Sequence, residues 1–162
     1  MQSPSSGLML RPLEAGDAEP AAALIRTAFA AQPLATEPPS SALRETADSI
    51  AAWIAAGGGT CLLRGAAIAA LLLWDERDGG LYCGRLAVDP AERGRGLARL
   101  LVAEAEREAR RRGLPRLHVR VRLALTGNIR LFEACGFREI GRGAHAGHAA
   151  PTLVMLEKRI EC

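Results

Sequence analysis

Lysine is nearly absent from this chain: of its 21 basic residues only Lys158 is not an arginine. Aromatic residues are scarce too, namely Phe29, Trp53, Trp74, Tyr82, Phe132 and Phe137, and they are scattered along the sequence. A surface that stacks nucleic-acid bases interleaves rings with a basic face, so the formal net charge of +3 is weak evidence for such a partner. The arginine bias accompanies abundant alanine and leucine, the usage of a GC-rich genome. Cys61, Cys83, Cys135 and Cys162 form no C-x-x-C pair, which argues against a zinc centre or a disulfide framework and for buried, reduced thiols. The longest clean apolar run, Ala66 to Trp74, has 9 residues, about half of what a bilayer-spanning helix needs. Residues Met1 to Gly7 lack the basic start and apolar core of a secretory signal. A cytoplasmic location without membrane attachment is the expectation.

What is present suits one globular domain over residues 1–162: 49% of the residues are hydrophobic and 24% charged. Leu8 to Leu13 reads as a first strand, followed by a helix over Ala18 to Ala31 capped by Gly16-Asp17. A second helix is expected after Ser40-Ser41, ending at Gly57-Gly58-Gly59. Thr60–Arg64, Ala67–Trp74 and Leu81–Val88 are apolar runs separated by turn residues, as in consecutive antiparallel strands. Leu97 to Arg112 carries Leu97, Leu100, Leu101 and Ala105 at helical spacing, with Glu106/Arg110 and Glu108/Arg112 in favourable i,i+4 order. Arg116–Leu123 alternates as a half-buried strand, and a short helix over Gly127–Ala134 precedes strands Phe137–Ile140 and Thr152–Arg159. The fold class is therefore α+β, with strands and helices mixed along the chain.

The segment that carries chemistry runs from Leu86-Ala87-Val88 through Asp89-Pro90 to Arg93-Gly94-Arg95-Gly96-Leu97-Ala98, a strand, a Gly-rich turn and the start of the strongest helix. First-turn N–H groups are unpaired and carry partial positive charge, so Arg93 to Ala98 suits a pyrophosphate, with Gly94 and Gly96 permitting close approach and Arg93 and Arg95 adding charge. The dinucleotide fingerprint fails because Arg99 stands where a Gly is required, and the Gly-Lys-Ser/Thr of a Walker loop is missing.

Arg93-x-x-Gly96-x-Ala98 after Val88-Asp89-Pro90 resembles the acetyl-CoA turn of GNAT-type N-acetyltransferases. Asn128-Ile129-Arg130-Leu131-Phe132-Glu133-Ala134-Cys135-Gly136-Phe137 is similar to the second half of that family's later signature. The resemblance implies a central, mixed, mostly antiparallel sheet of about six to seven strands flanked by about four helices. It implies acetyl-CoA as acyl donor, bound by Leu86, Ala87, Val88, Arg93, Gly94, Arg95, Gly96, Leu97, Ala98, Asn128 and Phe132. The acetyl group would pass directly to a primary amine of a small molecule or protein, with the Val88 N–H as oxyanion donor. Two positions depart from the family pattern: Leu125 stands where Asn is usual, and Phe132 where many relatives have a proton-donating Tyr.

Tyr82 falls where several relatives place a basic Glu; its phenol is a poor base at neutral pH and better suited to orienting the amine or donating a proton. His118 and His148 are the other catalytic candidates, with His145 beside the latter. The His-x-x-His spacing of His145 and His148 lacks a neighbouring carboxylate or Cys, so no metal is expected. The acceptor-binding segments implied are Pro33–Ser40 and Gly141–Pro151, and many relatives pair as homodimers. Two other classes stand as alternatives: a non-catalytic acyl-CoA-binding regulatory module, and an arginine-based nucleic-acid-binding domain.

Overall fold

The computed structural model describes residues 7–32 and 36–161; Met1–Ser6, Pro33–Ala35 and Cys162 lie outside that range. Seven strands form one sheet: β1 (Leu8–Pro12), β2 (Gly59–Arg64), β3 (Ala67–Arg77), β4 (Gly80–Val88), β5 (Arg116–Arg122), β6 (Arg138–Gly143) and β7 (Leu153–Arg159). Their spatial order is β1-β2-β3-β4-β5-β7-β6, and every neighbouring pair is antiparallel except β4 with β5. Four α-helices flank the sheet: α1 (Ala18–Ala30), α2 (Ala47–Ala56), α3 (Leu97–Arg111) and α4 (Thr126–Ala134). This is the α+β architecture expected from the sequence.

Strand alternation divides the core into two layers. Leu72, Trp74, Leu81, Leu117, Val119 and Leu156 face α3 and α4, where Leu97, Leu101, Val102, Ala105 and Phe132 meet them. Leu71, Leu73 and Cys61 face the opposite side, against Ala21, Ala22, Ile25 and Ala28 of α1 and Ile50 of α2. In α3 the buried stripe takes Val102 and Ala109 and leaves Leu100 38% exposed, a correction to the stripe expected from periodicity. Both expected ion pairs form, Glu108 with Arg112 at 2.7 Å and Glu106 with Arg110 at 3.7 Å.

Two boundaries differ from expectation. The second helix begins only at Ala47, because Ser40 caps a separate 3-10 turn over Ser41–Arg44 and Thr46 starts α2 with a reciprocal capping box to Ser49. The stretch Asp75–Gly80 is strand rather than loop except at Asp78-Gly79, where φ values of 51° and 74° make a tight hairpin turn closed by the Arg77↔Gly80 pair.

One irregularity shapes the centre of the sheet. Leu73 pairs with Gly84 but Leu71 pairs with Ala87, so β4 carries one extra residue, and Arg85 within this bulge adopts a φ of 57°. The bulge reverses the alternation: Leu81 and Cys83 belong to the α3 layer, whereas beyond it Ala87 turns to the α1 layer and Leu86 and Val88 to the α3 layer.

Candidate active site

β4 and β5 share only the pairs Leu81↔Leu117 and Tyr82↔His118; past these the strands part. The hydrogen bond from the Asp89 N–H to the Ala69 carbonyl, 2.8 Å, makes Ala70 and Val88 a pair that exchanges no hydrogen bonds. The N–H and C=O of Val88 consequently point away from β3, toward the opening. A cavity of about 650 Å³ fills this wedge, and Tyr82, Leu86, Val88, Gly94, Gly96, Leu97, Ala98, Asn128 and Phe132 all contribute to its wall. Among the expected binding residues, Ala87 is the one that the bulge turns into the opposite core layer, where it is buried.

At one end of the cavity lies the turn before α3. Gly94 and Gly96 both have φ of 78°, and a Cβ added at either would meet nothing within 4 Å, so they are required by conformation and leave the space before them open. Gly96 is the N-cap of α3, which leaves the N–H groups of Leu97, Ala98 and Arg99 without partners within the helix. The approach to the turn is rigid. Asp89 accepts a hydrogen bond from the Ala91 N–H, and buried Glu92 receives the Arg64 Nε at 2.8 and 3.0 Å and Arg95 at 3.4 Å. Arg64 holds the Glu92 carboxyl below the usual carboxylate range.

Arg93 and Arg95, expected to add charge to the turn, are both engaged by the protein itself, and Arg93 also lines the cavity. Arg93 donates to the Ala28 and Ala31 carbonyls at 3.1 and 3.5 Å, capping the C-terminus of α1 and thereby positioning the turn. Arg95 pairs with Glu92 and does not reach the cavity wall. Arg99, which the motif reading treated only as a departure from another fingerprint, lines the cavity with no ion pair of its own among the described residues.

The opposite end is built from side chains. Tyr82 projects to the face that α1 and α2 cover, and the Arg77 guanidinium lies 4.1 Å from its ring centroid. Burial pushes the Tyr82 phenol up, so it keeps its proton at neutral pH. Trp53 of α2 fixes its indole by donating Nε1–H to the Trp74 carbonyl at 3.2 Å. A Cβ on Gly84 would come within 2.8 Å of this indole and 3.1 Å of the Tyr82 ring, so only glycine admits the two rings side by side. Arg85 bonds Glu45 at 2.7 Å and Ser41 at 2.8 Å, which ties the bulge to the segment before α2. Arg120 and Arg122 of β5 complete this part of the wall.

The histidines stand apart from the cavity wall. His118 neighbours Tyr82 on the sheet, with ring centroids 5.5 Å apart, but its Nε2 donates to the Arg77 carbonyl at 2.9 Å and its ring packs beside Gly80. Burial lowers its basicity. His148 lies in the β6–β7 loop with Nδ1 3.3 Å from the Ala146 carbonyl, and neighbouring His145 bonds Thr152. Phe132 is buried against Phe137 with centroids 5.2 Å apart, and Leu125 is also buried, so Asn128 is the amide that reaches the cavity from α4. The cavity's one thiol, Cys83, is pushed up to about 12 by burial and is no nucleophile at neutral pH.

Comparison with known proteins bears on this arrangement. The chain is similar in fold to the ribosomal-protein-S18-alanine N-acetyltransferase of Escherichia coli, with a TM-score of 0.73, 21% identity, and coverage of 96% of this chain and 95% of that one. It is similar also to the PaiA N-acetyltransferase of Thermoplasma acidophilum, solved with coenzyme A, at TM-score 0.77, 15% identity, and coverage of 94% and 98%. YncA of Salmonella typhimurium, solved with its cofactor acetyl-CoA, matches at TM-score 0.74 and 17% identity over 96% of this chain and 95% of its own. No curated protein matches the sequence closely. The model of the acetyltransferase (GNAT) family matches residues 23–137, a span that contains the splayed strand, the glycine turn and the Asn128–Phe137 signature, and the chain therefore belongs to that family.

Proposed function

We propose that this protein is an acetyl-CoA-dependent N-acetyltransferase that acts on a primary amine. The observation that carries the reading is the continuity of one cavity from the N-terminus of α3, along the unpaired edge of β4, to the ring and arginine cluster around Tyr82. Coenzyme A fits this wall. Its pyrophosphate matches the N–H groups of Leu97 to Arg99, the open approach to Gly94 and Gly96, and the charge of Arg99. Its pantetheine amides match the outward N–H and C=O of β4. Bound acetyl-CoA supplies an acetyl thioester whose C–S bond breaks as the N–C bond forms, the electron pair leaving on sulfur and one amine proton passing to solvent.

This chain's residues then do four things. The first turn of α3 and Asn128 hold the donor; the Val88 N–H faces the opening, where it can stabilise charge developing on the carbonyl oxygen. Tyr82 donates a hydrogen bond that orients the acceptor, and proton delivery to the departing sulfur falls to Tyr82 or to water, because Phe132 has no proton to give. The lining offers no base: its one carboxylate, Glu92, is paired with Arg64 and Arg95. The acceptor therefore enters as the neutral amine from solvent. Holding both reactants in one cleft supplies much of the acceleration.

The deciding experiment is calorimetric titration of acetyl-CoA, followed by a free-thiol assay across a panel of amines. Binding with turnover on at least one amine supports the reading. Binding without transfer to any of them favours the alternative of a non-catalytic acyl-CoA-binding module, which Phe132 and the missing base would suit.

A further inference from the structure

The arginines in the later turns of α3 are matched by glutamates, whereas two arginines at the acceptor end of the cleft are not. On α3, Arg107, Arg110, Arg111 and Arg112 each meet a glutamate within 3.7 Å. In the cleft, Arg85 meets Glu45, and Arg77, above the Tyr82 ring, meets Asp75 at 2.6 Å. Arg122 has only carbonyl partners, at Pro38 and Pro39, so its dipolar contacts leave its charge uncancelled. Arg120 has neither an ion pair nor a hydrogen bond among the described residues, yet it lines the cavity and its charge acts on Tyr82. The two arginines alternate on one strand, about 7 Å apart and on the same face.

The rings beside them are equally informative. Arg77 lies 4.1 Å from the Tyr82 centroid and 5.9 Å from that of Trp53, and Arg85 lies 5.7 Å from Trp53. Ring faces that would attract a cationic acceptor are thus already engaged by the protein's own guanidinium groups. A polycationic amine entering here would meet uncompensated positive charge, whereas a planar anion would find the donors of Arg120 and the uncancelled charge of Arg122.

We propose that the acceptor is an amine that also carries an anionic group, a carboxylate or a phosphate, which Arg120 and Arg122 hold so that the nitrogen faces Val88. The inference rests on the acetyl-transfer reading and names its substrate class. The negative charge supplies the missing countercharge, and the amine needs no protein carboxylate to recruit it.

The test uses matched pairs that differ in charge: L-alanine against L-alaninamide, and O-phosphoethanolamine against ethanolamine, with spermidine as the cationic extreme. Acetyl-CoA binding is measured first, in wild type and in Arg120→Gln. If the donor does not bind, the acetyl-transfer reading fails and takes this inference with it. If it binds, kcat/KM should favour the anionic member of at least one pair by about tenfold or more, carried mainly by KM. Arg120→Gln should erase that preference by raising KM for the anionic member. Equal use of charged and neutral members, preference for spermidine, or an unchanged preference in Arg120→Gln would overturn the proposal. Should no amine be acetylated, the side-chain Nε–H resonances of the arginines decide: the anionic member must shift them in the CoA-bound protein and the neutral one must not. The absence of such a shift overturns it as well.

Discussion

The turn before α3 presents unpaired backbone N–H groups, made available by two glycines at φ of 78°. The opposite end of the same cavity is lined by side chains of β4 and β5, with Trp53 of α2 and Arg77 of β3 packed beside Tyr82 around Gly84. A backbone site draws its donors from a few consecutive residues, and its chemistry changes little when surrounding side chains change. A side-chain site depends on register, on the bulge at Arg85 and on contacts between residues far apart in sequence. The first end therefore suits the reactant common to a family, and the second is where one member differs from another.

The most direct way to separate the two ends is Gly96→Glu. A carboxylate at the N-cap of α3, in a backbone conformation that disfavours any side chain, should weaken acetyl-CoA by at least about 100-fold in calorimetry. Gly96→Ala keeps the strain without the charge and should lower stability by about 1 kcal/mol in urea unfolding, with a much smaller loss of affinity. If both variants weaken binding equally, strain rather than charge governs the turn.

Gly84→Ala tests the other end. Its Cβ, 2.8 Å from the Trp53 indole, must push the ring wall apart. We expect kcat/KM for the acceptor to fall about tenfold while acetyl-CoA affinity changes less than about threefold, measured on one preparation. Equal losses for both reactants would erase the distinction between the ends. Tyr82→Phe removes one hydroxyl and leaves the ring beneath Arg77, so a decrease of about three- to tenfold in kcat, with little change in KM, is expected from steady-state assays.

His118→Gln should have the smallest effect on catalysis, within about twofold, because the ring lies outside the cavity wall. It should alter stability instead. Burial depresses the folded-state pKa of His118 below its usual 6.5, so the unfolded chain takes up the proton first. Wild type then loses stability as pH falls below about 6.5, and stability is complete above it. Denaturant midpoints at pH 7.5 and 5.5 should converge less in the variant's favour at high pH than at low pH; a pH-independent difference would exclude this linkage.

How much of this was legible in the sequence varies with the range of the interactions involved. The strands and helices emerged from periodicity, and the turn from the spacing of Arg93, Gly94, Gly96 and Ala98, because both patterns repeat within a few residues. Side-chain roles were less legible even within that turn. Arg93 matches the motif but caps α1, a contact spanning 65 residues. Tyr82 was reached by counting from the turn, whereas Trp53, Gly84 and the partnerless charge of Arg120 were not. Gly84 alone carried a readable signal, a glycine within an otherwise regular strand, which often marks a close approach.

The sequence by itself determined the α+β architecture and the strand leading to a glycine turn, since these follow from local conformational preference and apolar spacing, and its motifs carried the resemblance to the family. The tertiary structure decided which arginines are neutralised, which rings are covered, and that Ala87 leaves the cleft while Val88 faces it. A single inserted residue in β4 reverses the alternation, and the free energy of a charge depends on the partners that folding brings within reach of it.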